Sequence, residues 1–159
     1  MESVTKIENS AFLGCVNLKT IRGYAGSYAE SYAKEYGYIF EDVEGKITTS
    51  YRTHVQSFGW QNPVTNGAMS GTSGEAKRLE AIQIKLYGEM ANHFDVYYRV
   101  HAQSYGWLGW AKNGEESGTA GYAKRLEGIQ IVLVPKGSAA PANNYKNIQS
   151  VNTKAYIKK

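Results

Sequence analysis

Arg52, His54 and Gln56 alternate along the chain, and Arg99, His101 and Gln103 repeat that alternation 47 residues later. Each triplet sets a fixed cation, a titratable imidazole and an amide on one side of an extended segment. A few convergent polar groups of this kind hydrogen-bond sugar hydroxyls in binding sites. They serve equally well as cross-strand partners within a fold. Trp60 and Trp107 each follow a glycine at the same place in the pattern, with Tyr105 just ahead of the second. An indole there either stacks on a sugar ring or a partner's apolar patch, or plugs a small core. Trp110 has no counterpart, because Pro63 takes that position in the first copy. It falls in a Gly-rich loop, where both roles stay open. The candidate ligand-binding residues are therefore Trp110, Trp107, Tyr105, His101, Gln103, Trp60, His54 and Gln56.

Glu80 and Glu127 invite an enzymatic reading, since a pair of carboxylates can hydrolyse a glycosidic bond. They occupy equivalent positions in two copies, however, whereas a catalytic pair needs two different roles. No catalytic residue is assigned on that ground. Each glutamate shares a strand face with isoleucines, where a carboxylate is costly without a partner. Arg78, Arg125 and the histidines are the available partners. Three histidines with one cysteine match no metal-ligand spacing, so no metal or cofactor is expected. The single Cys15 excludes an intrachain disulfide.

The elements that must position these residues come as a duplication. Residues 51–86 align with 98–133 without a gap and with 22 identities, as a tandem structural repeat would. Within each copy the first segment alternates Tyr51, Thr53 and Val55 against Arg52, His54 and Gln56, the period of a strand. The last segment sets Glu80, Ile82, Ile84 and Leu86 on one face, with Glu127, Ile129, Ile131 and Leu133 in the second copy. Gly59, Gly67, Gly71 and Gly74, with Gly106, Gly114, Gly118 and Gly121, leave little room for a helix between. The reading is mainly β: tandem β-repeat modules, sandwich or prism-like, over residues 45–137, divided near residue 90.

Residues 1–44 have another texture. Val4, Ile7, Ala11, Phe12, Cys15, Leu18 and Ile21 recur at leucine-rich-coil spacing. Ser27 and Glu30 form a capping box that predicts a short helix to about Tyr36, stopped by Gly37 and followed by a strand at Tyr38–Phe40. Residues 138–159 begin with linker composition, Ser138-Ala-Ala-Pro-Ala-Asn-Asn, and then suggest the start of another module.

The net charge of +4 is spread as −3 over residues 1–44, +3 over 45–137 and +4 over 138–159. No basic stripe follows one element, so nucleic acid is not an expected partner. No run of 18 apolar residues exists, and membrane insertion is not expected. The first residues lack the basic and apolar regions of a signal peptide.

The pattern Tyr98-Arg-x-His-x-Gln-x-x-Gly-Trp107, Trp110, Asn113-Gly114, Ser117-Gly-x-x-Gly121 and Arg125-Leu-Glu-x-Ile129 resembles the clostridial hydrophobic repeat with tryptophan, ChW. Asn9-Ser-Ala-Phe-Leu-Gly-Cys-Val-Asn-Leu-Lys-Thr-Ile21 and Gly23-Tyr-Ala-Gly-Ser-Tyr-Ala-Glu-Ser-Tyr-Ala-Lys34 are similar to the last repeat of BspA-type leucine-rich arrays. Together the resemblances cover about residues 4–137. They imply a secreted or surface-attached protein of Gram-positive anaerobes, in which such modules mediate adhesion or bind polysaccharide or host protein. The expected function is therefore non-catalytic adhesion or ligand binding, with residues 98–122 as the expected site. A structural spacer presenting a neighbouring enzyme is the alternative, and a polysaccharide hydrolase stands third. Oligomeric state is left open.

Overall fold

The computed structural model describes residues 6–8, 10–23, 27–42 and 48–159. The chain divides into two compact units, Met1–Lys46 and Ile47–Lys159. Val4, Asn9, the 24–26 stretch and the expected boundary at residues 44 and 45 lie outside the described residues.

In the first unit, β1 (Thr20–Gly23) pairs in parallel with β2 (Ile39–Asp42), with α1 (Tyr28–Glu35) between them. Ser27 caps the helix as its spacing predicts, its hydroxyl accepting from the Glu30 amide at 3.4 Å. Gly37, at φ +73°, takes the left-handed conformation that ends the turn. The buried core of this unit is Ile21, Tyr32 and Ala33, with Ile7, Phe12, Ala29, Tyr38 and Phe40 packed around it. Ala11 and Cys15, expected on the apolar face, are exposed.

The second unit holds both copies of the repeat. The first copy contributes β3 (Thr49–Val55), β4 (Gly59–Trp60), β5 (Val64–Thr65) and β6 (Leu79–Leu86). After α2 (Gly88–His93), the second contributes β7 (Phe94–Ala102), β8 (Gly106–Trp107), β9 (Ala111–Lys112), β10 (Ser117–Ala120) and β11 (Leu126–Pro135). A 3₁₀ turn at Tyr145–Asn147 and β12 (Tyr156–Lys158) complete the chain.

Corresponding strands pair alike. β3 runs antiparallel to β6 with Arg52 opposite Gln83, and β7 antiparallel to β11 with Arg99 opposite Gln130. The first tryptophan of each copy closes a tight hairpin onto the first strand, His54 opposite Trp60 and His101 opposite Trp107. Gly59 and Gly106 take φ of +72° and +68° in those hairpins, which is why a glycine precedes each tryptophan.

The two copies are joined by exchange of a strand. β10, from the second copy, pairs with β6 of the first, so the sheet runs β12–β10–β6–β3–β4 with β5 beside β3. Gly118 makes this approach possible: a Cβ there would lie 2.4 Å from the Glu80 carbonyl oxygen. The faces also meet. Ile84 and Leu86 of β6 bury against Val96 and Tyr98 of β7, with Ala111 beside them. Tyr98 crosses that boundary, its hydroxyl accepting from the Ile84 amide at 3.0 Å and donating to the Glu115 carbonyl. Burial pushes this phenol up to about 12.

Two expectations need correction. The second copy's isoleucine face is no core face: Ile129, Ile131 and Leu133 are 45%, 54% and 45% exposed, whereas Ile84 and Leu86 are 8% and 5%. The reason is position: β11 is an edge strand, whereas β6 lies between β10 and β3 and packs against β7. Residues 138–159, expected as linker and the start of another module, instead lie on the second copy. Gly109 donates to the Lys154 carbonyl, Val151 to the Trp107 carbonyl, and β12 pairs in parallel with β10. Asp95 anchors the start of this return. Lys112, Asn113, the Gly137 amide and Lys136 surround its buried carboxyl and hold it far below the usual carboxylate range.

Candidate functional site

The side chains picked out by the alternation gather on the outer face of each hairpin, and they do so twice with nearly the same geometry. In the first copy the Trp60 ring stands edge-on to His54 at 5.5 Å, with the Arg52 guanidinium 5.0 Å from its centroid. In the second, Trp107 stands edge-on to His101 at 5.6 Å, with the Arg99 guanidinium at 5.4 Å. Strand pairing dictates this arrangement, since opposed residues project from the same face. Both tryptophans are half-buried lids over these polar groups and belong to neither core cluster.

The glutamates find the partners expected for them. Glu80 is buried, with one oxygen 2.8 Å from Arg78 Nε and the other 3.1 Å from His54 Nδ1. That imidazole contact is close without hydrogen-bond direction, so Nδ1 makes no hydrogen bond. Glu127 repeats the set with Arg125 Nη2 at 2.6 Å and His101 Nδ1 at 3.2 Å, in a more open setting. Each copy thus carries an Arg–Glu ion pair with a histidine beside it and a tryptophan over the histidine. Gln56 and Gln103 contribute through their backbone N–H groups, which donate to the Arg78 and Arg125 carbonyls and hold the strand ends together. Tyr105 packs edge-on to Tyr122 at 5.9 Å. Among the described residues, no three His, Cys, Asp or Glu side chains come together as a metal-holding group.

For Trp110, whose role the sequence leaves open, the structure shows a ring packed within the molecule. It is half-buried, lies 4.6 Å from the Arg99 guanidinium and stands edge-on to Tyr145 at 5.8 Å. Its indole N–H donates to the Ala142 carbonyl at 3.4 Å. Trp107 and Trp110 therefore flank one arginine, a cation–π pair of walls.

That arginine is the residue the sequence reading undervalued. Arg99 is fully buried, and among the described residues it has no carboxylate partner. Nε donates to Gln130 Oε1 at 2.7 Å. Nη1 donates to the Asn143 carbonyl at 2.8 Å and Ser150 Oγ at 2.5 Å, and Nη2 to the Ile148 and Tyr145 carbonyls at 2.7 and 3.4 Å. Every ligand of this cation is neutral and most are backbone. Burial pushes its pKa down, yet a guanidinium stays charged.

The first copy carries the same cradle without the filling. Arg52 Nε donates to Gln83 Oε1, as Arg99 does to Gln130. Its terminal nitrogens make no hydrogen bond among the described residues. They border a cleft of about 200 Å³ lined by Ser50, Arg52, Pro63, Gln83, Lys85 and Tyr87 among others. A signal for this cradle existed in the sequence: Arg52 with Gln83, and Arg99 with Gln130, are identical in both copies.

No helix among the described residues is long and apolar enough to cross a membrane. No curated protein and no solved structure matches the chain. The family described as Clostridial hydrophobic W, ChW, matches residues 54–88 and residues 101–135, and each match spans one copy from its histidine through its last strand. The chain carries a tandem pair of ChW repeats.

Proposed function

We propose that this chain is a non-catalytic binding fragment of a bacterial surface protein, with the ChW pair as its recognition module and residues 1–44 as the end of a leucine-rich array. The observation that carries the reading is the open cradle of the first copy. A guanidinium with unused donors borders a concave surface there, while its twin in the second copy is saturated. Binding sites combine such concavity with a few directional polar groups. The parallel pairing of β1 and β2 around α1 supports the leucine-rich assignment. ChW repeats occur in bacterial surface proteins, which supports a secreted or surface location.

Pull-down of cell-wall polysaccharide and surface proteins by the chain, and by its Arg52→Gln variant, is the test. Capture by the parent chain that falls about tenfold or more in the variant is expected, the value of a charge-assisted hydrogen bond. No capture of any component would sink the reading.

A second reading has its own observation. The exposed Ile129, Ile131 and Leu133 row is the surface that the second copy covers on the first, so the pair also suits a spacer that stacks on further repeats. Capture unchanged by Arg52→Gln but abolished by Ile131→Asp would favour the spacer.

A further inference from the structure

The two cradles are one site seen in two states of occupancy. In the second copy the occupant is visible: residues 142–150 of the same chain, turned so that three carbonyl groups and one hydroxyl converge on Arg99. The occupant also accepts from the Trp110 indole, and Tyr145 packs on that ring. Among the described residues no carboxylate takes part, so what the cradle selects is a bent stretch of polypeptide whose carbonyl dipoles point inward. A guanidinium suits this because it offers five donors in a rigid planar fork, with one spent on the supporting glutamine.

In the first copy the arginine, the glutamine and the first tryptophan are retained in the same relation. What differs is one wall: Pro63 stands where Trp110 stands, and it lines the cleft beside Arg52. Lys85, with its ammonium 5.1 Å from the Tyr87 ring, lines the cleft as well.

We infer that the Arg52–Gln83 cradle is a docking site for a polypeptide loop without acidic side chains, bound through its backbone carbonyl groups as residues 142–150 are bound at Arg99. This rests on the binding reading above and narrows it to one class of partner. Arg52 holds the loop through Nη1 and Nη2, Gln83 fixes the plane of the guanidinium, and Trp60 supports it from below. The missing tryptophan makes the docking reversible where the second copy's is permanent.

The direct probe is a synthetic peptide of residues 139–152, acetylated and amidated to remove terminal charge, titrated calorimetrically into the full chain. One saturable site is expected. It should weaken about tenfold or more in Arg52→Gln, the loss of one charge-assisted hydrogen bond, and tighten in Pro63→Trp, which restores the second wall. A scrambled peptide should bind more weakly, because the carbonyls must converge. Absence of binding to both the parent chain and Pro63→Trp would overturn the inference, and so would binding indifferent to Arg52→Gln. Thermal melts show whether Arg52→Gln folds, and if it does not, the Pro63→Trp and scrambled-peptide comparisons decide. Cell-wall polysaccharide run beside the peptide separates the two levels: Arg52-dependent capture of polysaccharide with no peptide binding overturns the polypeptide class and leaves the binding reading standing.

Discussion

β6 and β11 share the sequence Leu-Glu-x-Ile-Gln-Ile-x-Leu and the same antiparallel partner geometry, yet one is interior and the other is surface. Ile84 and Leu86 disappear beneath β7, and β10 closes the outer edge of β6. Ile131 and Leu133 face outward on an edge strand. Nothing in the eight residues distinguishes the two outcomes. Burial is conferred by whatever copy follows, as in arrays whose units complete each other's cores. The cradles teach the same lesson from the opposite side. Arg52 and Arg99 have the same supporting glutamine and tryptophan, but only Arg99 has residues 142–150 folded onto it.

The largest expected difference between the copies lies at these arginines. Arg99→Ala strips the Asn143, Tyr145 and Ile148 carbonyls of their donor and opens a void between Trp107 and Trp110. A loss of roughly 3–5 kcal/mol is expected from so many buried partners left unpaired. Arg52→Ala, which breaks one hydrogen bond and one ring contact, should cost about 1 kcal/mol or less. Urea denaturation of both variants measures the contrast. Equal losses would mean that the return segment adds nothing to the second copy's stability.

The isoleucines give the next contrast. Ile84→Ala removes a buried side chain at the junction of the copies and should destabilise by about 2–4 kcal/mol, whereas Ile131→Ala should stay within about 1 kcal/mol. Matching losses in the two variants, read from the same denaturation curves, would show that the row on β11 is covered in solution by something, for which a second copy of this chain is the first suspect.

Much of this was legible before any coordinates. The strand period of residues 51–56, the glycine ahead of each tryptophan and the Ser27 cap are local signals, set by backbone conformation and side-chain direction, and local signals survive in a single sequence. The ion pairs of Glu80 and Glu127 followed from the cost of burying a carboxylate. What escaped depends on long-range position. Ser138-Ala-Ala-Pro-Ala-Asn-Asn reads as linker because its side chains are small and polar, but its role at Arg99 is played by main-chain carbonyls, which every residue type supplies. The role of Trp110 stays open in the sequence because its loop gives no hint that a segment 32 residues downstream returns to it. The exposure of Ile131 depends on what packs against its strand, which the residues shared by β6 and β11 do not encode.

The smallest contrast is the sharpest test of how the copies are coupled. Tyr98 and Tyr51 occupy the same position, and each donates to a carbonyl of its own copy, Glu115 and Ala68. Tyr98 alone also accepts from the backbone of the preceding copy, at the Ile84 amide. Tyr98→Phe leaves that amide without its acceptor at a buried junction, so about 1–2 kcal/mol should be lost. Tyr51→Phe forfeits one bond near the surface, where water replaces the lost partner, and should cost about 0.5 kcal/mol. Amide hydrogen exchange locates the difference: Ile84 should lose protection in Tyr98→Phe and keep it in Tyr51→Phe. Should Ile84 stay protected in Tyr98→Phe, the phenol is not what ties the two repeats together, and the strand exchange of β10 must carry the coupling alone.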